Sequence, residues 1–313
     1  MESLLAIDCG SWSVKYNRTS GSKGKAVEKI VQEFPTNDRD PLRVLSDLFR
    51  DEFPSDENVT ALYLLDSLTP RRDREELVYY LFEKVGAKRV AFSYAAATSL
   101  YSAGENSGIC LDVGHSGVRV STVLDSVLQP SLCCELNSVG SHATDRLLSE
   151  KLGMEFSHLN QTVKHHLCCV GEEEATQSTR TLPDGAVLPD CLSSRDVAEA
   201  GSRLLVSETT DSLFSFRNVY ENSVAESSTV LPYMVCGGGS LMRGVNHAVK
   251  SHLQKYFTFP NRELTAKSPS HTAIDGGLIL SQISSFKQMC VDVEEYNENG
   301  PARCCSSKMI DSR

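Results

Sequence analysis

Long apolar runs are missing from this 313-residue chain, and no stretch approaches the length that spans a bilayer as a helix. The N-terminus also lacks the basic-then-apolar layout of a secretory leader, so we expect a chain of the cytosol or nucleus. Tryptophan is represented by Trp12 alone, and aromatics make up only 7% of residues. Basic residues are in deficit. With 31 Lys and Arg against 41 Asp and Glu, the formal charge is −10, which leaves no general basic field to displace counterions from nucleic acid. Eleven cysteines are present, but not as the spaced pairs of a zinc site; Cys133–Cys134, Cys168–Cys169 and Cys304–Cys305 are adjacent pairs. Without a secretory route the expectation is reduced thiols, and the sequons at Asn17, Asn58 and Asn160 are then chance matches. The last residues, Met309 to Arg313, do not form a prenylation box.

What is there is ordinary in bulk and specific in pattern. Apolar content of 40% and charge of 23% suit a globular protein of one large or two ordinary domains. Strand and helix signals alternate. Val14–Tyr16 and residues 60–66 read as strands, and Arg74 to Val85 as a helix. Val90–Tyr94 is a further strand, and Ala95–Ala103 a short helix. Between Asp40 and Phe53, apolar residues fall at helical spacing (Leu42, Leu45, Leu48, Phe49, Phe53). Such alternation predicts an α/β architecture.

Three glycine-centred turns, each entered by an apolar strand, stand out: Leu4–Ser11 (LLAIDCGS), Gly108–His115 (GICLDVGH) and Val235–Ser240 (VCGGGS). The first two share a strand–Asp–x–Gly pattern 104 residues apart, which suggests a duplicated β-element facing one ligand. The chemistry is that of an anion site. Glycine lets backbone N–H groups approach a phosphate, and an Asp at a strand end can hold a hydrated divalent cation. The plainer alternative is that Asp8 and Asp112 only tie off their turns. The third turn runs into Leu241–Val245, which reads as a helix start.

In order and spacing these motifs resemble the actin family, within the wider class of two-lobed ATPases. Pro70–Glu83 (PRRDREELVYYLFE) resembles the family's helix after a strand and a proline. The tail, Gly276–Met289 (GGLILSQISSFKQM) followed by Glu295–Pro301 (EYNENGP), resembles the family's C-terminal region. Leu182–Gly185 (LPDG) is a fourth landmark. The resemblance covers roughly residues 4 to 302 and implies an α/β, actin-like fold. Its expected large lobe is 1–102, its small lobe 103–271, and 272–313 returns to the large lobe. Both outer subdomains are shortened, to about 19–38 and about 139–204, while Gly237 to Pro301 keeps nearly the family's length.

The resemblance further implies ATP or ADP with Mg2+ held around Asp8, Gly10, Ser11, Lys15, Asp112, Gly114, Gly140, Lys164, Gly237 and Gly238, with Asp8 and Asp112 nearest the cation. Departures from the family pattern fall on catalysis. Trp12 stands for a glycine, Ala95 for the Gln that orients water, His115 for an Asp, and Arg119 for a His. On the adenine and ribose side, His165, Met242 and Ser270 replace a Glu, a Tyr and a Lys. A group that positions water contributes about 10²–10⁴ in rate. That is roughly 3–5 kcal/mol of barrier, so losing several leaves little hydrolysis.

The leading expectation is therefore a non-catalytic structural subunit of a cytoskeletal assembly. It would partner actin or actin-related filament subunits through a cleft lined by Tyr101, Ile279, Leu280, Ile283 and Met289, with a pointed-end cap of the dynactin type as the concrete version. The plainer reading of those five residues is core packing. A nuclear adaptor of a chromatin-remodelling complex and an ATP-hydrolysing filament former are the alternatives. Arg71, Arg72 and Arg74, the Glu172–Glu174 run, and Thr176–Thr181 are read as solvated surface or loop, and Asn297 to Arg313 as a frayed tail.

Overall fold

A computed structural model describes residues 2–20, 32–35, 40, 42–45, 47, 58–153, 164, 166, 168–171, 193–227, 229–257 and 262–307. The Leu182–Gly185 landmark, Glu172–Glu174, Thr176–Thr181 and His165 lie outside them. The architecture is α/β, with two sheets in two compact units. Unit one comprises Met1–Gly108, Thr122–Ser131 and His271–Arg313; unit two comprises Ile109–Ser121 and Leu132–Ser270.

The sheet of unit one is built from β1 (Glu2–Cys9), β2 (Ser13–Ser20), β3 (Gln32–Pro35), β4 (Asn58–Leu65), β5 (Arg89–Tyr94) and β12 (Val291–Asp292), in the order β12-β5-β4-β1-β2-β3. β4 lies parallel between β1 and β5. Being covered on both faces, it is buried from Val59 to Leu65, and reads as the continuous apolar run expected of such a strand. β3 pairs with β2 from Ser13↔Pro35 to Tyr16↔Gln32. Residues 32–35, expected in the outer subdomain at 19–38, thus belong to the main sheet.

Helix α1 (Arg71–Glu83) starts directly after Pro70 and buries Leu77, Val78, Leu81 and Phe82. Its exposed face pairs Arg71 with Glu75 and Arg72 with Glu76 one turn on, but the basic cluster is not wholly a solvated face: Arg74 is half-buried, and Arg71 also donates to Ala302 O. Residues 42–45 and 47 are helical, and the Tyr80 hydroxyl donates to the Leu42 carbonyl. The rest of the helix expected to Phe53 lies outside the described residues.

Helix α2 (Ala95–Ser102) is covered by α7 (Thr272–Gln282). The two approach so closely that a Cβ on Gly276 would stand 1.6 Å from the Thr98 carbonyl oxygen. Ile274, Leu278 and Leu280 thereby join Ala6, Leu62, Leu64 and Ala91 in one core, closed by Phe286 from the short α8 (Phe286–Met289).

The tail corrects one expectation. Val293–Ser307 is helical (α9), kinked at Gly300 (φ 71°), and Cys304 and Cys305 are buried where fraying was expected. Gly-Pro reads as a stop, yet Pro301 is well placed in the first turn of the segment after the kink. The Tyr296 ring stacks on Phe82 of α1 at 4.4 Å.

Unit two is organised by β6 (Gly108–Val113), β7 (Val118–Leu124), β8 (Val127–Leu128), β9 (Cys134–Leu136), β10 (Tyr233–Cys236) and β11 (Glu263–Leu264). The order is β11-β10-β6-β7-β8, with β9 also on β7. Thr122–Ser131, which holds the tip of the β7–β8 hairpin, groups with unit one. The Ser126 N–H donates to Asn106 O, and the Asp125 N–H to Ser107 Oγ, which ties its tip there. Helices α3 (Ser141–Leu152), α4 (Ser194–Ser202), α5 (Ser212–Ser227) and α6 (Val245–Tyr256) complete unit two. Phe216, Tyr220 and Tyr233 form its aromatic centre, with ring centroids 5.8–6.4 Å apart. Lys151 of α3 bonds both Asp196 and Glu199 of α4, whose N-terminus carries a Ser193–Asp196 capping box.

Among the described residues, no helix is long and apolar enough to cross a membrane. Cysteines there are free thiols and mostly buried, and burial pushes Cys168 up to about 12, which makes it a poor nucleophile.

The Gly276 contact yields a paired test. Gly276→Ala meets backbone and is expected to cost about 3 kcal/mol or prevent folding. Gly277→Ala meets only the Leu62 and Leu64 side chains at 3.4 Å, and is expected to be neutral or stabilising by up to about 1 kcal/mol. Urea unfolding of the two variants checks the contrast.

Candidate functional site

In unit one, β1 and β2 form a hairpin whose register sets Asp8 directly opposite Lys15. The Gly10 N–H donates to Ser13 O at 3.0 Å and closes the turn. Ser11 is exposed at its tip, with Trp12 half-buried beside it. Lys15 Nζ lies 4.0 Å from Asp8 Oδ2, so the carboxylate has a cationic neighbour supplied by register alone.

The turn in unit two repeats this geometry. Gly114 N–H donates to Gly117 O at 2.9 Å. Arg119 follows Asp112 at the same offset by which Lys15 follows Asp8. Its Nη1 lies 3.6 Å from Asp112 Oδ2, and its Nε donates to Glu135 Oε1 at 3.0 Å. Arg119 and Glu135 are register partners on β7 and β9, so the second contact fixes the direction of the first. Nη1 also lies 3.8 Å from where a Cβ on Gly114 would stand, which sets the guanidinium against the turn itself.

The third turn abuts the second. Gly237 has φ +87°, and a Cβ there would fall 2.2 Å from Asp112 Oδ1, so only glycine fits. Its N–H donates to Pro269 O, while the Cβ direction of Gly238 is open. The helix expected at Leu241 begins instead at Val245. Gly238–Leu241 is a single 3-10 turn, and Met242 is extended. The intervening chain bonds elsewhere, with Val170 N–H donating to Arg243 O. The triple glycine therefore does not open directly into an α-helix.

Gly140 is the residue before α3, whose first amides return to the second turn: Ser141 N–H donates to Gly114 O and His142 N–H to His115 O. Lys164 is only 3% exposed, and its Nζ reaches both carboxylate oxygens of Asp145 on α3, at 2.7 and 2.8 Å. Burial pushes the Asp145 carboxyl up and the Lys164 ammonium down, while their mutual attraction opposes both shifts. His115 Nδ1 lies 3.7 Å from the same carboxylate. Asp145 and Glu135 were not singled out from the sequence. Glu135 is visible only once the β7–β9 register is known, but the shared offset of Lys15 and Arg119 was legible.

In unit one, the five residues of the expected cleft divide. Leu280 is core, and Tyr101 and Met289 pack partly buried against that core. Ile279 and Ile283 are 41% and 45% exposed, more than packing requires.

The family model for actin matches residues 18–180 and 158–309. The chain belongs to the actin family. Curated relatives agree. Actin-like protein 7A of Mus musculus is 24% identical over 278 residues, covering 81% of this chain and 62% of that protein. Actin-related protein 7 of Arabidopsis thaliana is 24% identical over 269 residues, 75% of this chain and 71% of that one. Actin-like protein 9 of Mus musculus is 25% identical, covering 74% and 61%. The chain thus spans less than two thirds of the length of the actin-like relatives it matches. It is a divergent actin-related protein.

The family fold generally binds nucleotide with a divalent cation. For the phosphates the turns offer Gly238, whose Cβ direction is open, while the amides of Gly10, Gly114 and Gly237 are already given to Ser13, Gly117 and Pro269. Asp112 fits the cation less well. Its Oδ2 faces a guanidinium, and a divalent ion on that carboxylate would meet the like charge of Arg119.

The buried pair gives a stability test. Lys164→Met strands the Asp145 charge and is expected to cost about 3–5 kcal/mol, whereas Asp145→Leu combined with Lys164→Met recovers most of the loss. Urea unfolding of the two single variants and the double variant measures the coupling.

Proposed function

We propose that this actin-related protein is a structural subunit of a cytoskeletal assembly that binds nucleotide through its glycine turns without turning it over. The observation that carries the reading is the Arg119–Asp112 ion pair. A fixed cation stands at the carboxylate where the family resemblance would place the metal ion. The resemblance also sets Ala95 at the position of the water-orienting Gln. The remaining neighbour, His115, faces Asp145 and contributes its carbonyl to α3. With Ala95 unable to accept a proton, this set supplies no positioned base for water.

Docking is the second half of the proposal. Ile279 and Ile283 present apolar side chains from the end of α7 and the residue after it, held by the Leu280 and Phe286 core beneath. A filament subunit, with this chain as a pointed-end cap of the dynactin type in the cytoplasm, is the occupant we favour.

Two measurements test the reading. Phosphate release with magnesium ATP is expected to stay at the buffer rate; steady turnover would make the chain an active ATPase and overturn the first half. Ile283→Asp changes an exposed site, and is expected to alter stability by less than about 0.5 kcal/mol while abolishing capture of cytoskeletal partners by the tagged protein. Capture that survives in the folded variant, or recovery of a chromatin-remodelling motor in its place, would reject the cap.

A further inference from the structure

The duplicated hairpins differ from a metal-binding arrangement in one respect that goes beyond loss of hydrolysis. Each aspartate has a basic residue at the same offset along the following strand, Lys15 for Asp8 and Arg119 for Asp112. An ammonium 4.0 Å from its carboxylate can swing away on a flexible stem. A guanidinium is planar and permanently charged, and here it is held at two points. Glu135, its cross-strand register partner, takes Nε at 3.0 Å, which directs Nη1 to Asp112 Oδ2 and against Gly114. The Arg119 side chain is 20% exposed and that of Asp112 34%, so solvent only partly screens the pair.

The other oxygen of Asp112 is constrained as well. Oδ1 lies 2.2 Å from where a Cβ on Gly237 would stand, so the carboxylate sits between the guanidinium and the glycine turn. A cation on that carboxylate meets the like charge of Arg119, which the Glu135 contact keeps in place. A phosphate approaching the Gly114 turn already meets a positive group beside the backbone.

We infer that Arg119 has replaced the divalent cation at this site, so that the chain binds ATP or ADP with an affinity independent of Mg2+. This rests on the nucleotide-binding reading above. Asp112 serves as the partner that orients Arg119, and Glu135 as the positioning residue that holds the guanidinium across the strands.

Titration calorimetry of the full chain with ADP and with ATP, in excess Mg2+ and in EDTA at equal ionic strength, tests the inference without any variant. The dissociation constants are expected to agree within about three-fold. A wild-type affinity weaker by about ten-fold or more in EDTA would overturn the metal-independence and leave the nucleotide-binding reading standing. Absence of binding in both conditions would overturn that reading and the inference together. Arg119→His uncouples Asp112 and is expected to make binding metal-dependent, by about ten-fold between Mg2+ and EDTA. Arg119→Lys keeps the charge and is expected to remain insensitive. A folded Arg119→His protein that ignores Mg2+ removes Arg119 from the role.

Discussion

The carbonyl oxygen of Thr98 lies where any side chain at position 276 would begin, and unit one is arranged around that exclusion. Close approach of α7 to α2 brings the C-terminal residues back to the sheet formed by the N-terminal ones. Ile274, Leu278 and Leu280 fill the core beside Ala6, Leu62 and Ala91, and the chain beyond α7 supplies Phe286 and the edge strand β12. Ile283, three residues beyond Leu280, would share its buried face if the helix continued, but it is the extended residue that ends α7 (φ −70°, ψ 145°), and its side chain turns outward. Ile279 and Leu280, adjacent in sequence, thus face opposite sides of one helix.

Electrostatics divide unit two into two regimes. Asp145 and Lys164 are deeply buried, so their pairing offsets a desolvation cost that neither bears alone, and the network reaches His115 in the glycine turn. Asp112 and Arg119 are partly exposed, where an ion pair adds little to stability. Their importance lies in position. The first pair holds α3 in place behind the turn, while the second sets the charge beside Gly114.

Much of this was readable in the residues. The strands of unit one announce themselves by continuous apolar runs, as in β4, and α1 by its proline start and apolar spacing. The glycine turns were legible because Gly237 and its neighbours have few other uses after a buried strand. Four features were not. The 3-10 turn at Gly238–Leu241 and the late start of α6 come with a contact from far away in sequence, the Val170 N–H donating to Arg243 O. β3 takes its identity from pairing with β2. Glu135 matters only through register, and Asp145 only through burial opposite Lys164. Local signals specify elements; these depend on partners distant along the chain.

The kink at Gly300 seats the last turns of α9 so that Cys304 and Cys305 are almost completely covered. Burial pushes Cys305 up to about 11, so its sulfur is protected both by access and by protonation. Alkylation at neutral pH then requires that α9 first leave its seat. The rate of modification at Cys304 and Cys305 becomes an internal clock for opening of the C-terminal segment, on the element whose Tyr296 stacks on α1.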